Sequence, residues 1–127
     1  MPINAHWADA EQTIVILEYQ GGWTWDELYN AVKTIENMTD GKTRIVPVIH
    51  NLTASQMLPK DVFFHGQRLT VEVPKGAFAV IVGAGSFARI VIDMLRRLNR
   101  SFDEQYKTAA TLDEAMTIIK KELKPEP

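Results

Sequence analysis

Residues 13–19 read TIVILEY, and this stretch decides the fold class. Its nearly continuous apolar character and its β-branched residues are typical of a strand that is buried on both faces, as strands of parallel sheets are. A second run of this kind, AFAVIV at residues 77–82, predicts another inner strand. Shorter strands are predicted at 6–10, 44–50 and 106–109.

Two capping boxes indicate where helices begin. Thr24 and Glu27 form the first, in which each side chain accepts a hydrogen bond from the other residue's backbone N–H, and the helix that follows is predicted to stop at Asp40-Gly41. Thr111 and Glu114 form the second, before the last helix of the chain. Both helices are therefore bounded by local signals.

Two further helices are predicted at about 60–70 and at 86–99. The second has the strongest amphipathic pattern of the chain, with one apolar stripe at helical spacing. The members of this stripe are Phe87, Ile90, Val91, Met94, Leu95 and Leu98. Pro47 removes a ladder donor from the strand at 44–50, so that strand is expected to lie near an edge or to bulge.

Regular alternation of strands and helices predicts an α/β fold with a mixed, mostly parallel sheet of about five strands and four alternating helices. Residues 1–127 are predicted to form a single domain, with a short disordered tail at about 124–127. Ligands of such sheets bind beyond the carboxyl ends of the strands. The corresponding loops are predicted at 20–23, 51–59, 83–86 and 110–111.

Composition narrows the classes of function. The 127 residues include no cysteine, so disulfides, thiolate metal sites and a Cys nucleophile are excluded. A net charge of −2 argues against a nucleic-acid binder. No stretch approaches the roughly 20 apolar residues of a transmembrane segment, and the first ten residues lack Lys and Arg. We therefore expect a soluble, cytoplasmic protein.

Charge is unevenly distributed along the chain. Residues 1–40 hold seven acidic residues against one basic residue, and the remainder holds thirteen basic residues against nine acidic ones. Trp7 and Trp23 lie near a predicted sheet edge. The asymmetry of charge favours self-association, so we predict a homodimer. In the alternative interpretation, the charged residues only face solvent.

The sequence GAGSFA at 83–88 follows a strand and precedes a helix, which is the context of a dinucleotide-binding turn. Two observations oppose that function: the next strand ends without an acidic residue for a ribose, and too little chain follows for a second half-domain. A tight strand-to-helix turn is the favoured interpretation, and no cofactor is predicted. Gly83, Gly85 and Ser86 are kept as candidate contact residues.

His50 is the one histidine placed like a functional residue, at the carboxyl end of a predicted strand. The other candidate contacts lie in the predicted loop that follows, namely Asn51, Thr53, Ser55 and Met57. In the alternative interpretation, Met57 and Leu58 fold back onto the core. No metal site and no catalytic constellation is predicted.

Several segments resemble the SpoIIAA-like family of the wider STAS group: the strand at 14–19, GWT at 22–24, VIHNL at 48–52 and YKTAATLDEA at 106–115. The resemblance implies a STAS-type fold and a protein that works by docking a partner, in some members under control of a phosphorylated serine. Here the corresponding segment, MLPKD at 57–61, holds no Ser or Thr. Some family members are likened to CRAL-TRIO domains, which carry lipids.

The sequence suggests three functions, in decreasing order of preference. The first is a non-enzymatic regulatory or protein-interaction domain with an unknown protein partner. The second is a carrier of a small apolar or lipid-like ligand, and the third is a nucleotide-binding protein that uses the Gly83–Ser86 turn. A carrier requires an apolar pocket of about 300 Å³ or more, whereas an interaction domain requires a tightly filled core.

Overall fold

The computed structural model describes residues 2–42, 46–72 and 78–122, with the side chains of these residues except those at 56, 57, 63, 69–72 and 101. The tail at 124–127 lies outside these ranges, as do the predicted first residues of two strands, Arg44 and Ala77. The elements in chain order are β1 (Ile3–Trp7), β2 (Val15–Gly22), α1 (Trp25–Met38), β3 (Val48–Met57), α2 (Val62–Glu72), β4 (Ala79–Val82), α3 (Ser86–Leu98), α4 (Arg100–Gln105), β5 (Tyr106–Ala109) and α5 (Leu112–Glu122).

The five strands form one sheet in the order β1-β2-β3-β4-β5. The β1–β2 pair is antiparallel and the other three pairs are parallel. The predicted α/β fold with a mixed, mostly parallel sheet is confirmed, and the topology is consistent with the STAS type. The short helix α4 was not predicted.

The two apolar runs occupy inner strands, as predicted. β2 lies between β1 and β3, and β4 lies between β3 and β5. Val15, Leu17, Val80 and Val82 are almost completely buried. Burial at successive positions is possible because helices cover both faces of the sheet.

Alternate residues of these strands pack on opposite layers. One face of the sheet packs on α5, where Ile49 and Val80 contact Ala115 and Ile119. The opposite face carries two further clusters. Tyr19 and Leu17 pack on α1 in one of them. In the other, Ile81 packs on α3 and α4.

The predicted loop at 51–59 was wrong over most of its length. β3 runs from Val48 to Met57, so only residues from Leu58 onward leave the sheet. The strand continues because β2 also extends past Tyr19, as far as Gly22, and supplies hydrogen-bonding partners: Gln20 pairs with Ala54 and Gly21 with Ser55. Two irregularities in this register accommodate the longer pairing.

Pro47 lies immediately before β3, so its missing N–H removes nothing from the ladder, and its carbonyl accepts a hydrogen bond from Val15 at 3.1 Å. β3 is the central strand of the sheet and begins after Pro47, so neither predicted alternative, an edge position or a bulge at Pro47, was correct. The first strand starts at Ile3 rather than at residue 6 and pairs with β2 from Ile3 to Trp7.

The capping box at Thr24 and Glu27 is present as predicted, with both reciprocal hydrogen bonds. At α5, the Thr111 hydroxyl accepts from the Glu114 N–H, but the Glu114 carboxylate accepts from the N–H of Ala110 instead. No helix within the described ranges is long and apolar enough to cross a membrane.

The apolar stripe predicted on α3 is covered only along one side. Val91 and Leu95 are buried, together with Ala88 and Ile92. The remaining members are exposed, with relative accessibilities of 64% for Phe87, 59% for Ile90, 47% for Met94 and 68% for Leu98. We call these four residues the α3 stripe. The apolar surface of α3 is therefore wider than the part that packs on the sheet.

Candidate functional site

An apolar cleft of about 110 Å³ lies on the sheet face that α1, α2, α3 and α4 cover. It is open to solvent on one side, and strands β2 to β5 also contribute to its lining. Most of the wall is aliphatic or aromatic, with large contributions from Trp23, Trp25, Leu28, Leu52, Val91, Ile92, Leu95 and Phe102.

Gly66 of α2 allows close packing of α2 against α3 in the cleft wall. A Cβ atom on Gly66 would lie 2.7 Å from Cδ1 of Leu95, which is closer than packed carbon atoms approach. Glycine at this position thus lets α2 lie close against α3. Both residues line the cleft.

Three polar side chains of the sheet line the cleft: Tyr19 of β2, His50 of β3 and Tyr106 of β5. The hydroxyl oxygen of Tyr19 lies 2.7 Å from Nδ1 of His50, and the two groups share a hydrogen bond. The ring centroids of His50 and Tyr106 are 6.2 Å apart. Strand register produces this arrangement, because His50 is aligned with Leu17 and therefore lies close to Tyr19 on the same face.

Aromatic rings surround the Tyr19–His50 pair. The Trp23 ring packs against Tyr19 at a centroid distance of 5.0 Å, and Trp25 packs edge-on against Trp23 at 5.1 Å. Trp25 in turn stacks on His65 of α2 at 4.5 Å. The aromatic contacts hold one side of the cleft in place.

All three polar residues of the cleft are uncharged at neutral pH. Burial lowers the pKa of His50 from 6.5 to about 4, because desolvation disfavours the imidazolium. Burial raises the pKa of Tyr106 to about 12. The pKa of Tyr19 lies well above its ordinary value, mainly through burial and further through the proximity of Tyr106. The cleft therefore presents hydrogen-bonding groups without a formal charge.

Of the eight predicted contact residues, His50 alone is in the cleft lining as the structure describes it. Ser55 lies next to the cleft, because its hydroxyl accepts a hydrogen bond from Nε1 of Trp23 at 2.9 Å. Met57 belongs to β3, but its side chain is outside the described part of the structure.

Asn51 and Thr53 are not brought together with His50. Asn51 follows His50 on the strand and so points to the opposite face of the sheet. The side-chain Nδ2 of Asn51 donates a hydrogen bond to Glu18 at 2.9 Å, and its side-chain Oδ1 accepts one from the Thr53 hydroxyl at 2.7 Å. Glu18 also contacts Nε2 of His6 at 3.5 Å, which completes a polar network on that face.

The predicted residues at 83–86 lie at the junction of β4 and α3, outside the cleft lining. Gly83 has a φ of +71°, and a Cβ atom there would lie 2.5 Å from Oγ1 of Thr53. Gly85 is the N-cap of α3 with an ordinary φ of −72°, and Ser86 is the first residue of that helix. A tight strand-to-helix turn accounts for Gly83, since both its backbone conformation and its contact with β3 require glycine.

Sequence reasoning missed Tyr19 and Tyr106 as site residues. Each lies in a predicted strand, but only the register of the four strands β2 to β5 places them on the same side of the sheet as His50. Trp23 is buried at 7% relative accessibility and belongs to the cleft wall. Trp7 is partly buried on the edge strand β1, with the Lys42 ammonium 5.2 Å from its ring centroid.

Within the described ranges, no cluster of three or more His, Asp or Glu side chains could hold a metal ion. Fold and site together define an α/β domain with a five-stranded mixed sheet and an open, uncharged apolar cleft on its four-helix face. No protein-family model, no curated protein and no solved structure matches the chain.

Proposed function

We propose that this domain binds a small, uncharged and mainly apolar molecule in the cleft, without catalysing a reaction. The observation that carries the proposal is the cleft itself, an open apolar cavity into which neutral polar groups converge. Ligand sites in proteins typically combine apolar walls with a few placed polar groups of this kind.

The size of the cleft sets the size of the ligand. A volume of about 110 Å³ is well below the roughly 300 Å³ that a drug-sized ligand requires. An apolar cavity of about 150 Å³ accommodates benzene. The ligand, or the part of it that enters, is thus a molecule of about one small ring. A complete lipid would not fit, so the proposal is narrower than the lipid-like carrier that the sequence suggested.

The resemblance to SpoIIAA-like proteins adds support of a different kind. A mixed sheet with one antiparallel edge pair and helices between the parallel strands is consistent with that resemblance. We propose on this basis that the domain is of the STAS type. Some SpoIIAA-like proteins are likened to CRAL-TRIO lipid carriers, and an apolar binding site is consistent with that likeness.

A variant that fills the cleft tests the proposed function. Val91 lines the cleft, whereas Ile90, its neighbour on α3, is exposed. We expect neutral compounds of six to eight heavy atoms to raise the melting temperature of the wild type, because ligands that bind only the folded state stabilise it. Val91→Phe should abolish this shift and Ile90→Phe should retain it, with folding of both verified by circular dichroism. If no such compound shifts the melting temperature and none co-purifies with the protein, the cleft is not a binding site.

The α3 stripe favours a second candidate function, protein interaction through self-association. Phe87, Ile90, Met94 and Leu98 follow one another at spacings of three and four residues, so they form a continuous apolar surface along α3. The proposed occupant is a second copy of this chain. Exposed arginines border the stripe and exposed acids occur on α1, so two copies offer complementary charges to each other.

A further inference from the structure

The hydroxyl hydrogen of Tyr19 has a defined hydrogen-bond acceptor. Tyr19 is 2% accessible, and within the described residues the hydrogen bond of its hydroxyl is the one with Nδ1 of His50. Leaving a buried donor without an acceptor destabilises a protein by about 1–3 kcal/mol. The Tyr19 O–H therefore donates, and Nδ1 of His50 accepts.

This assignment fixes the tautomer of His50. A neutral imidazole carries one hydrogen, so when Nδ1 accepts, the hydrogen is on Nε2. Desolvation keeps the ring neutral, with a pKa of about 4. The other orientation, with a hydrogen on Nδ1, would leave the Tyr19 hydroxyl hydrogen with no acceptor in the described part of the chain.

The Nε2–H group of His50 is left as a donor for a ligand. Within the described residues it makes no hydrogen bond. It is not fully buried without a partner either, unlike Oε1 of Gln105. His50 lines the cleft and is only partly buried. Tyr106 lines the same cleft, and its hydroxyl likewise has no hydrogen bond to another described residue.

We propose that the cleft selects small apolar molecules that carry one neutral hydrogen-bond acceptor, such as a ketone, aldehyde, ester or ether oxygen, which accepts the Nε2–H of His50. This inference rests on the proposed function and names the class of ligand. A carboxylate or an ammonium group would lose its hydration in a cleft that offers no opposite charge, so charged analogues are excluded. Tyr106 can supply a second hydrogen bond to the same oxygen.

Nitrogen NMR of the histidine rings tests the tautomer without any ligand. In protein labelled with ¹⁵N at histidine, we expect His50 at pH 7 to show an unprotonated Nδ1 and a protonated Nε2. Tyr19→Phe should shift this ring toward a mixture of tautomers. Tyr29→Phe is the matched control, because it removes a hydroxyl at the same 2.7 Å distance from Nδ1 of His65, outside the cleft lining. A protonated Nδ1 on His50 in the wild type would overturn the inference.

Three probes of one shape test the ligand class: cyclohexanone, methylenecyclohexane and cyclohexylammonium. Cyclohexanone should bind about 2- to 10-fold more tightly than methylenecyclohexane, the range of one net hydrogen bond, and cyclohexylammonium should not bind. His50→Phe should remove the preference for the ketone while the hydrocarbon still binds. Tyr19→Phe provides a second variant that weakens the preference if His50→Phe does not fold.

The outcomes separate the two proposals. If the ketone and the hydrocarbon bind equally well to the wild type, the inference about His50 is overturned and ligand binding in the cleft stands. If neither compound binds at millimolar concentration, both proposals are overturned. If the preference persists in His50→Phe, another donor is responsible and the role of His50 is overturned.

Discussion

The hydroxyl of Tyr19 on β2 and Nδ1 of His50 on β3 are 2.7 Å apart and connect two neighbouring strands inside the cleft lining. The contact joins two polar groups within a mainly apolar wall. Its geometry depends on the parallel register of the strands, in which His50 lies opposite Leu17. The pair consequently stabilises the strand pairing and fixes the orientation of the imidazole in the cleft lining.

Removal of the Tyr19 hydroxyl should lower stability measurably. We expect Tyr19→Phe to reduce the free energy of unfolding by about 1–2 kcal/mol, because Nδ1 of His50 loses its buried partner. Urea denaturation followed by circular dichroism measures the change. Tyr29→Phe, which removes the equivalent hydrogen bond of a tyrosine that is less buried than Tyr19, should have the smaller effect. An equal loss in both variants would contradict the special environment of the Tyr19–His50 pair.

Acid should destabilise the protein through His50. The pKa of His50 is about 4 in the folded state and 6.5 in its unperturbed state, so the unfolded chain binds the proton more readily. Stability is thus complete above about pH 6.5 and falls as the pH is lowered toward 4, by at most roughly 3 kcal/mol. Water in the open cleft reduces this value.

The matched variant for the pH experiment is His50→Phe, which has no titrating group at this position. Urea denaturation of both proteins at intervals from pH 7 to pH 4.5 gives the difference in the free energy of unfolding. All other carboxylates and histidines titrate in both proteins and cancel. A difference that does not vary across this range would mean that His50 is not held neutral by burial.

The elements predicted correctly are those whose signals are local. The apolar runs at β2 and β4 identify inner strands because burial on both faces leaves few polar positions. The Thr24–Glu27 box identifies the start of α1 because both partners lie within four residues. Neither inference depends on contacts between distant parts of the chain.

The second half of β3 could not be predicted for the opposite reason. Thr53 and Ser55 are typical of loops, and their place in a strand depends on the extension of β2 to Gly22. Likewise, the periodicity of α3 shows how wide its apolar surface is but not which part meets the sheet. His50 was found because it ends an apolar segment, whereas Tyr19 and Tyr106 required the register of β2, β3 and β5.

Gly83 and Gly85 should respond very differently to alanine. At Gly83 the φ of +71° and the 2.5 Å approach to Oγ1 of Thr53 both oppose a Cβ atom. We expect Gly83→Ala to reduce the free energy of unfolding by about 2–4 kcal/mol, the sum of backbone strain and steric conflict. Gly85 has φ of −72° and nothing within 4 Å of a Cβ position, so Gly85→Ala should change stability by less than about 1 kcal/mol.

Thermal and urea unfolding of the two glycine variants measure this contrast. A neutral Gly83→Ala would mean that the turn between β4 and α3 can move away from β3. A strongly destabilising Gly85→Ala would mean that the N-cap of α3 is packed more tightly than the open surroundings of Gly85 indicate.

The last prediction concerns the α3 stripe and the homodimer. Ile90 and Met94 lie at the centre of the stripe, one helical turn apart, and both are exposed in the monomer. A two-fold interface buries the same surface of both subunits, so these side chains would contact the second copy directly. Wild-type protein should sediment as a dimer at tens of micromolar, and Ile90→Ser/Met94→Ser should sediment as the 14.4 kDa monomer.

The matched control is Arg89→Ser/Asp93→Ser, on the charged edge of the same helix, which also introduces two serines and leaves the net charge unchanged. This control should remain dimeric, because it leaves the apolar contact intact. A wild type that sediments as a monomer at that concentration would refute the homodimer, and equal dissociation of both double variants would show that helix stability, rather than the stripe, controls association.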